Sequence, residues 1–191
     1  MLTTLLEPGL RLTICGIDEL DTHSTARVSH VLSILDPGYP DPHAFAAYDP
    51  HHRLTLRFHD IIGPWPGWEA PERHHVEQLL AFGEELDDAG ENLRHLLVHC
   101  HAGISRSTAA MATLLARHMR VGEEDGIFAR IREIRPIAWP NSRMIAFADD
   151  ILGRGGRLSA ALREHYRFQA PSRPEFMDDL RRNGRGAEVP D

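Results

Sequence analysis

The chain has 191 residues, enough for one domain with a sizeable hydrophobic core, and 42% of them are apolar. Its formal net charge is −7, and all 21 of its basic residues are Arg. The acidic balance argues against a nucleic-acid binder, which needs a basic face. The lack of Lys excludes Schiff-base chemistry and the phosphate-loop lysine of nucleotide hydrolases. A bound phosphate would therefore be held by Arg, by main-chain N–H groups or by a metal.

The two cysteines, Cys15 and Cys100, are too few for a disulfide framework. The first sixteen residues lack the basic start and the long apolar stretch of a signal peptide, and no apolar run approaches the length of a bilayer span. We therefore expect a cytoplasmic protein with reduced thiols and with neither a membrane nor a nucleic acid as partner.

Short apolar runs alternate with helical patterns along the chain. Four runs predict buried strands: Leu12–Cys15, His30–Leu35, Leu54–Phe58 and Leu96–His99. Helical spacing predicts helices over Glu72–Asp88 and Arg106–Met119, one lined by Ile127, Ile131 and Ile134, one starting at Pro140-Asn141-Ser142, and one after Gly153. The alternation predicts an α/β fold, with a short, mainly parallel central sheet and helices on both faces.

The predicted organisation is a main domain over residues 1–158, followed by a helical extension of the same domain over residues 159–191. Two segments rich in Pro, residues 37–50 and 63–71, predict irregular loops. We expect the last residues, Asn183–Asp191, to be frayed.

One nine-residue stretch joins the fourth predicted strand to the second predicted helix: His99-Cys100-His101-Ala102-Gly103-Ile104-Ser105-Arg106-Ser107. A strand, a tight loop and a helix N-terminus bring main-chain N–H groups together and favour a bound anion. Gly103 lets the backbone turn close to the ligand, and the planar fork of Arg106 can grip two phosphoryl oxygens. Cys100 is expected to be a thiolate in this setting. The stretch therefore predicts a phosphate-binding loop that carries its own nucleophile.

A structural explanation of the stretch is a buried cysteine at a strand end that happens to precede a helix. Against it, His precedes Cys100, Gly stands third after it, Arg stands sixth, and Ser follows the Arg. The combination in a strand–helix setting makes an accidental match rare. The pattern favours chemistry at Cys100.

The stretch His99–Thr108 closely resembles the signature loop of the dual-specificity branch of the protein tyrosine phosphatases, which is His-Cys, five residues, Arg, and Ser or Thr. A wider similarity, to bacterial tyrosine phosphatase-like proteins, covers about residues 12–158. Besides the loop it rests on less specific motifs: Ile14-Cys15-Gly16, Phe58-His59-Asp60-Ile61, Pro140-Asn141 and Leu152-Gly153-Arg154-Gly155-Gly156-Arg157.

The resemblance implies a phosphomonoester hydrolase, a protein tyrosine or dual-specificity phosphatase that uses no cofactor. Cys100 would displace the alcohol or phenol and form a phosphocysteine, which water then hydrolyses. Arg106 and the loop amides would stabilise the equatorial oxygens. Ser107 would hydrogen-bond the sulfur and help it leave, while His99 would orient the loop and support the thiolate. The substrate would lie against the loop residues His101, Ala102, Gly103, Ile104, Ser105 and Arg106.

A leaving phenoxide needs a proton, which a carboxylic acid opposite the loop can supply. Asp60 follows the third predicted strand, precedes a Gly/Pro/Trp loop that could move, and matches the position where the family carries its acid. A turn-forming Asp at a strand end is the structural alternative. Asp49 and Glu69 are the other candidate acids.

Three further assignments stay open on the sequence. Asn141 occupies a place where relatives use a polar side chain near the active site, although a helix cap explains it equally well. For Cys15 the favoured interpretation is a core position. A disulfide between Cys15 and Cys100, formed on oxidation, is the alternative hypothesis. Consecutive residues at a strand end point in different directions, so His99, Cys100 and His101 cannot readily chelate one ion, and we expect no metal.

Two other functions use a similar loop. A rhodanese-like sulfur transferase also places a cysteine at a helix start, and a non-catalytic phosphate-binding module would recognise phosphate without cleaving it. The pattern around Arg106 and the presence of Asp60 disfavour both. Within the loop no Lys or further Arg is available for extra phosphates, which favours a phosphorylated protein or a small aryl phosphate over a phosphoinositide.

Overall fold

The computed structural model describes Leu5 and residues 9–190. Four parallel strands form its sheet, in the order β1-β4-β2-β3. Their bounds are Arg11–Cys15 for β1, His30–Leu35 for β2, His52–Arg57 for β3 and His95–His99 for β4. Strand β4 thus lies between β1 and β2, and its last residue, His99, is level with Cys15 on one side and Ser33 on the other. The chain enters Cys100 from this central strand.

The α-helices follow the predicted order, with an additional short one near the C-terminus. They are α1 Arg73–Asp88, α2 Arg106–Ala116, α3 Glu124–Ile134, α4 Ser142–Ile151, α5 Arg157–Gln169 and α6 Pro174–Arg182. Short 3₁₀ helices include Ile17–His23 after β1 and His43–Ala47 before β3. The predicted α/β fold with a short parallel sheet is confirmed. Among the described residues, no helix is both long and apolar enough to cross a membrane.

Alternating side chains divide the sheet between two cores. One face carries Ile14, Leu32, Leu56 and Val98 against the α-helices, in the larger core. The other face packs on the two 3₁₀ helices and the segments beside them, in a smaller core that contains Cys15, Leu20, Val28, Val31 and Leu97. Helical segments therefore cover both faces, with the α-helices on one of them.

Helix α2 lies at the centre of the larger core, and each of its residues is buried. It ends at Ala116, one turn earlier than predicted. Arg154 is 4% exposed, pairs with Glu124 at 3.1 Å and donates to the carbonyl oxygens of Ala116 and Met119. The arginine thereby satisfies carbonyls that a helix end leaves open. The motif around Arg154 is thus part of the fold's framework.

The C-terminal segment after α6 is packed against the domain. The prediction of fraying over Asn183–Asp191 is wrong for the part that the structure describes, up to Pro190, because Arg185 and Glu188 are only 6% and 1% exposed. These two side chains pair with each other at 2.5 Å, which allows their charges to be buried. The division at residue 158 stays a prediction.

Candidate active site

The candidate nucleophile sits at the carboxyl end of the central strand. Cys100 is 2% exposed, and its Sγ lies 3.2 Å from the Oγ of Ser107 in the first turn of α2. The loop from Cys100 to Arg106 connects strand and helix, so the contact that the family resemblance implied for Ser107 is present. A hydroxyl at this distance can donate to a sulfur anion.

The five carbonyl groups from His101 to Ser105 accept hydrogen bonds from the surrounding structure. His101 O accepts from Ile17 N at 2.9 Å, and Ile104 O accepts from Trp139 N at 2.8 Å. Ala102 O and Gly103 O accept from the guanidinium of Arg135, at 3.2 and 3.1 Å, and Ser105 O accepts from Asn141 N at 3.3 Å. In a trans peptide the N–H points away from the C=O. The N–H groups that follow these carbonyls therefore point away from the partners that bind the carbonyl oxygens.

Two glycines allow the loop to lie directly against the end of β1. Gly103 has φ +67°, and a Cβ there would lie 2.4 Å from the carbonyl carbon of Cys15. A Cβ on Gly16 would lie 2.8 Å from the main-chain oxygen of His101. Both positions exclude a side chain, which explains the glycines in two of the sequence motifs.

Arg106 is buried beneath the loop and anchored at one end of its fork. Its Nη1 donates to Asp36 Oδ1 at 2.5 Å and to the carbonyl oxygen of Phe58 at 2.6 Å. Its Nε is buried and has no hydrogen-bond partner among the described residues. A buried donor without a partner is costly, so this atom is suited to an anion that enters the loop.

Asp60 lies beside the loop and accepts three hydrogen bonds. Its Oδ1 accepts from Ser105 Oγ at 2.7 Å and from Asn141 Nδ2 at 2.9 Å, while its Oδ2 accepts from Arg185 Nη1 at 3.0 Å. Burial alone would raise the pKa of Asp60. The charges of Arg185 and Arg106 and the two neutral hydrogen bonds outweigh burial and hold the pKa below its usual range. In the free protein the carboxylate is ionised at neutral pH.

Asn141 fulfils both of the roles considered for it. Its Oδ1 accepts from Met144 N at 3.1 Å and caps α4, while its Nδ2 donates to Asp60. The cap fixes the amide orientation that the carboxylate needs. One residue thus connects the helix start to the candidate acid.

The two loop histidines have structural contacts. His99 is fully buried with Nε2 2.7 Å from Ser33 Oγ, and burial lowers its pKa to about 4. It is therefore neutral at pH 7, and its expected role in orienting the loop and supporting the thiolate stays a prediction. His101 accepts from the main-chain N of Asp36 at 3.1 Å and packs edge-on against Tyr39. It links the loop to the residues after β2.

The other candidate acids differ in position. Asp49 lines a surface cavity with Val28, Ser29 and Arg94, all of which precede strands, so it lies at the amino edge of the sheet and away from Cys100. The structure therefore removes Asp49 as a candidate. Glu69 remains near Asp60, because its main-chain O and N bond to His59 at 2.7 and 2.9 Å.

The two cysteines belong to different cores. Cys15 is in the smaller core on one face of the sheet, and Cys100 is in the larger core on the other. Burial, chiefly, raises the pKa of Cys15 to about 12. Cys15 is a core residue as predicted, both thiols are free, and the disulfide on oxidation stays a hypothesis.

Four charged residues near the loop were missed in the sequence: Glu19, Asp36, Arg135 and Arg185. A signal existed for Asp36, because it directly follows β2 and parallel strand ends meet at one edge of the sheet. The other three contact residues that are far away in the sequence, so no local pattern indicated them. In the part of the chain that the structure describes, no group of three or more His, Cys, Asp and Glu side chains is placed to hold a metal ion.

A cysteine at the end of a central strand, a buried arginine six residues later and the tight loop between them are the elements of the cysteine-dependent phosphatases. The profile of the protein-tyrosine phosphatase family matches residues 47–150, more than half of the chain. This chain belongs to the protein-tyrosine phosphatase family. The resemblance stated from the signature loop is confirmed.

Individual relatives agree with this assignment. The human protein phosphatase Slingshot homolog 3 is 26% identical over 136 residues, which cover 70% of this chain and 18% of that protein. Human DUSP28 has a similar fold with a TM-score of 0.56 and 15% identity, over 76% of this chain and 94% of that one. A human tyrosine phosphatase-like serine/threonine/tyrosine-interacting protein has a similar fold with a TM-score of 0.54 and 19% identity, over 77% of this chain and 93% of that one. The chain thus spans less than a fifth of the length of the Slingshot relative.

Proposed function

We propose that this protein hydrolyses phosphomonoesters through a phosphocysteine intermediate on Cys100 and acts on phosphorylated proteins. The observation that carries the proposal is the set of donors that the loop offers: the amides that follow its bonded carbonyls, and Arg106 Nε, which is buried without a partner among the residues that the structure describes. An anion with several oxygens is the ligand that satisfies such a set. Because Cys100 reacts only when reduced, a cytoplasmic location belongs to the same proposal.

In the first step Cys100 Sγ attacks phosphorus, and the bond to the leaving oxygen breaks. Asp60, protonated in the substrate complex, donates its proton to that oxygen. In the second step a water molecule attacks phosphorus, Asp60 accepts a proton from it, and the sulfur leaves with Ser107 Oγ as its hydrogen-bond donor. The phosphate dianion of the substrate and the carboxylate of Asp60 are both negative. Binding of the substrate therefore makes the proton affinity of Asp60 higher than it is in the free protein.

The preference for a phosphoprotein rests on what the loop offers beyond the single phosphate. Arg106 is the one Arg within it, and the ring of His101 is engaged by Asp36 and Tyr39. No loop side chain is therefore available for a second phosphate. Outside the loop, Trp65 and Trp68 follow Asp60 and are 46% and 49% exposed, which gives a flanking peptide an apolar surface to contact.

The experiment compares the wild-type protein with Cys100→Ser on nitrophenyl phosphate, with and without vanadate, and uses thiosulfate turnover as counter-assay. We expect hydrolysis by the wild type only, inhibition by vanadate, and no sulfur transfer. Thiosulfate turnover without phosphate release would support the rhodanese-like alternative. Vanadate binding without hydrolysis would support a non-catalytic phosphate-binding module.

A further inference from the structure

The segment after α6 reaches the candidate acid from outside the matched family region. Arg185 Nη1 lies 3.0 Å from Asp60 Oδ2, while its Nε and Nη2 lie 2.7 and 2.5 Å from Glu188 Oε2. The other carboxylate oxygen of Glu188 accepts from Ser142 N, at the start of α4, at 2.7 Å. Gly184 also approaches Trp65, where an added Cβ would lie 3.0 Å from the ring. The segment is thus fixed to both sides of the acid.

We propose that Arg185 is a positioning residue for Asp60, which holds the carboxylate against Ser105 of the phosphate loop and sets how readily it takes up a proton. This rests on the proposed role of Asp60 as proton donor. Arg185 contacts Asp60 through one nitrogen and Glu188 through two. Glu188 therefore competes for the same guanidinium and limits its effect on Asp60.

Charged or titratable groups from several elements surround Asp60, and Asp179 of α6 lines the same cavity as Asp60 and Arg185. Arg185 and Arg106 are the cations, from the C-terminal segment and from α2. Glu188 is the nearby anion of the C-terminal segment, and burial raises its pKa, with Asp60 adding to the rise. Tyr166 of α5 and His101 of the loop also interact with Asp60, and burial keeps both in their neutral forms at pH 7.

The two members of the buried pair should act on Asp60 in opposite directions. A general acid works while it is protonated, so activity falls as pH rises through its pKa. Replacing Arg185 by Gln removes a cation beside Asp60, so the pH at which activity falls should rise. Replacing Glu188 by Gln removes an anion and frees Arg185 to act on Asp60, so the pH at which activity falls should decrease. Two variants that merely damaged the site would not shift the pH profile of activity in opposite directions.

The test measures kcat against pH for phenyl phosphate in the wild type, Arg185→Gln, Glu188→Gln and the matched control Arg181→Gln. Arg181 lies on α6, its side chain is 56% exposed, and it pairs with Asp178, so its replacement should leave the profile unchanged. The double variant Arg185→Gln/Glu188→Gln removes both charges of the Arg185–Glu188 pair together and serves if a single variant does not fold. Of these two residues only Arg185 contacts Asp60, so the pH at which activity falls should still rise.

A second readout follows the Asp60 carboxyl by carbon NMR in the same variants, without substrate. Opposite movements of its titration in Arg185→Gln and Glu188→Gln are expected. An unchanged titration in Arg185→Gln, or movement of both variants in the same direction, would overturn the inference. If the wild type hydrolyses nothing, the proposed function fails while the carboxyl titration still decides the role of Arg185.

Discussion

Arg135 and Glu19 form a two-point ion pair behind the phosphate loop, with the two terminal nitrogens each 2.8 Å from a different carboxylate oxygen. The same guanidinium donates to the carbonyl oxygens of Ala102 and Gly103, and Glu19 accepts from Gly16 N at 2.7 Å. A single planar group therefore connects the loop to the segment after β1. It orients two of the peptide groups whose N–H would contact phosphate.

Replacing Arg135 by Lys should slow hydrolysis with little loss of fold, because one ammonium cannot reproduce the geometry of a planar fork. We expect a fall of about 10²-fold in kcat/KM and a parallel weakening of vanadate binding. Both effects are expected because the same loop amides, misplaced in the variant, contact the phosphoryl group and vanadate. Steady-state kinetics and vanadate titration measure this. Arg130→Lys, at an exposed position of α3, the helix that Arg135 directly follows, is the matched control. Equal rates in both variants would show that the loop does not depend on Arg135.

Arg106→Lys should be more damaging than Arg135→Lys, because Arg106 must meet Asp36, Phe58 and the phosphate together. Lys can supply the charge but not the bidentate contact. We expect a loss of about 10³-fold in kcat/KM with a normal thermal transition. Near wild-type turnover would contradict the assignment of Arg106 to the phosphoryl oxygens.

Asp60→Asn should discriminate between leaving groups. Phenoxide is a poor leaving group and needs the proton, whereas nitrophenoxide leaves more readily without it. We expect phenyl phosphate hydrolysis to fall by about 10²- to 10⁴-fold and nitrophenyl phosphate hydrolysis to fall much less. The two rates are measured side by side across pH. Equal slowing of both substrates would transfer the role to Glu69 or to no side chain.

His99 and His165 predict a loss of stability at mildly acidic pH. Burial, chiefly, lowers the pKa of each in the folded protein to about 4, whereas an unfolded His titrates near 6.5. Below pH 6.5 the unfolded chain therefore binds more protons, and the free energy of unfolding falls as pH falls toward 4. Between pH 6.5 and 5 each His should cost about 2 kcal/mol. Urea unfolding at both pH values tests this, and His165→Gln should reduce the difference.

The sequence was sufficient for the parts of the site that are local. The loop from Cys100 to Arg106, the contact partner Ser107 and the strand-end position of Asp60 all follow from one strand–helix junction and the parallel-sheet rule. Within the loop, the spacing of residues along the chain determines their spacing in the fold, and Asp60 reaches the same edge because its strand is parallel to β4 within one sheet. The dual role of Asn141 was anticipated as two separate alternatives.

The residues that support the loop and the acid could be identified only from the tertiary structure. Arg135 meets Glu19 across 116 positions, and Arg185 meets Asp60 across 125. In the sequence, Arg135 is one more charge after an amphipathic helix, and Arg185 stands in a polar, Gly-containing tail of the kind that usually frays. Buried ion pairs leave no periodic pattern, so neither could be distinguished from a solvated arginine.

The covalent intermediate tests the central claim most directly. The protein is mixed with excess nitrophenyl phosphate, quenched with acid within the first turnovers, digested and examined by mass spectrometry. The account predicts a phosphoryl group on the peptide that contains Cys100, absent from Cys100→Ser and increased in Asp60→Asn, in which the water has lost its base. Turnover without phosphorylated Cys100, or with the phosphoryl group on another residue, would contradict it.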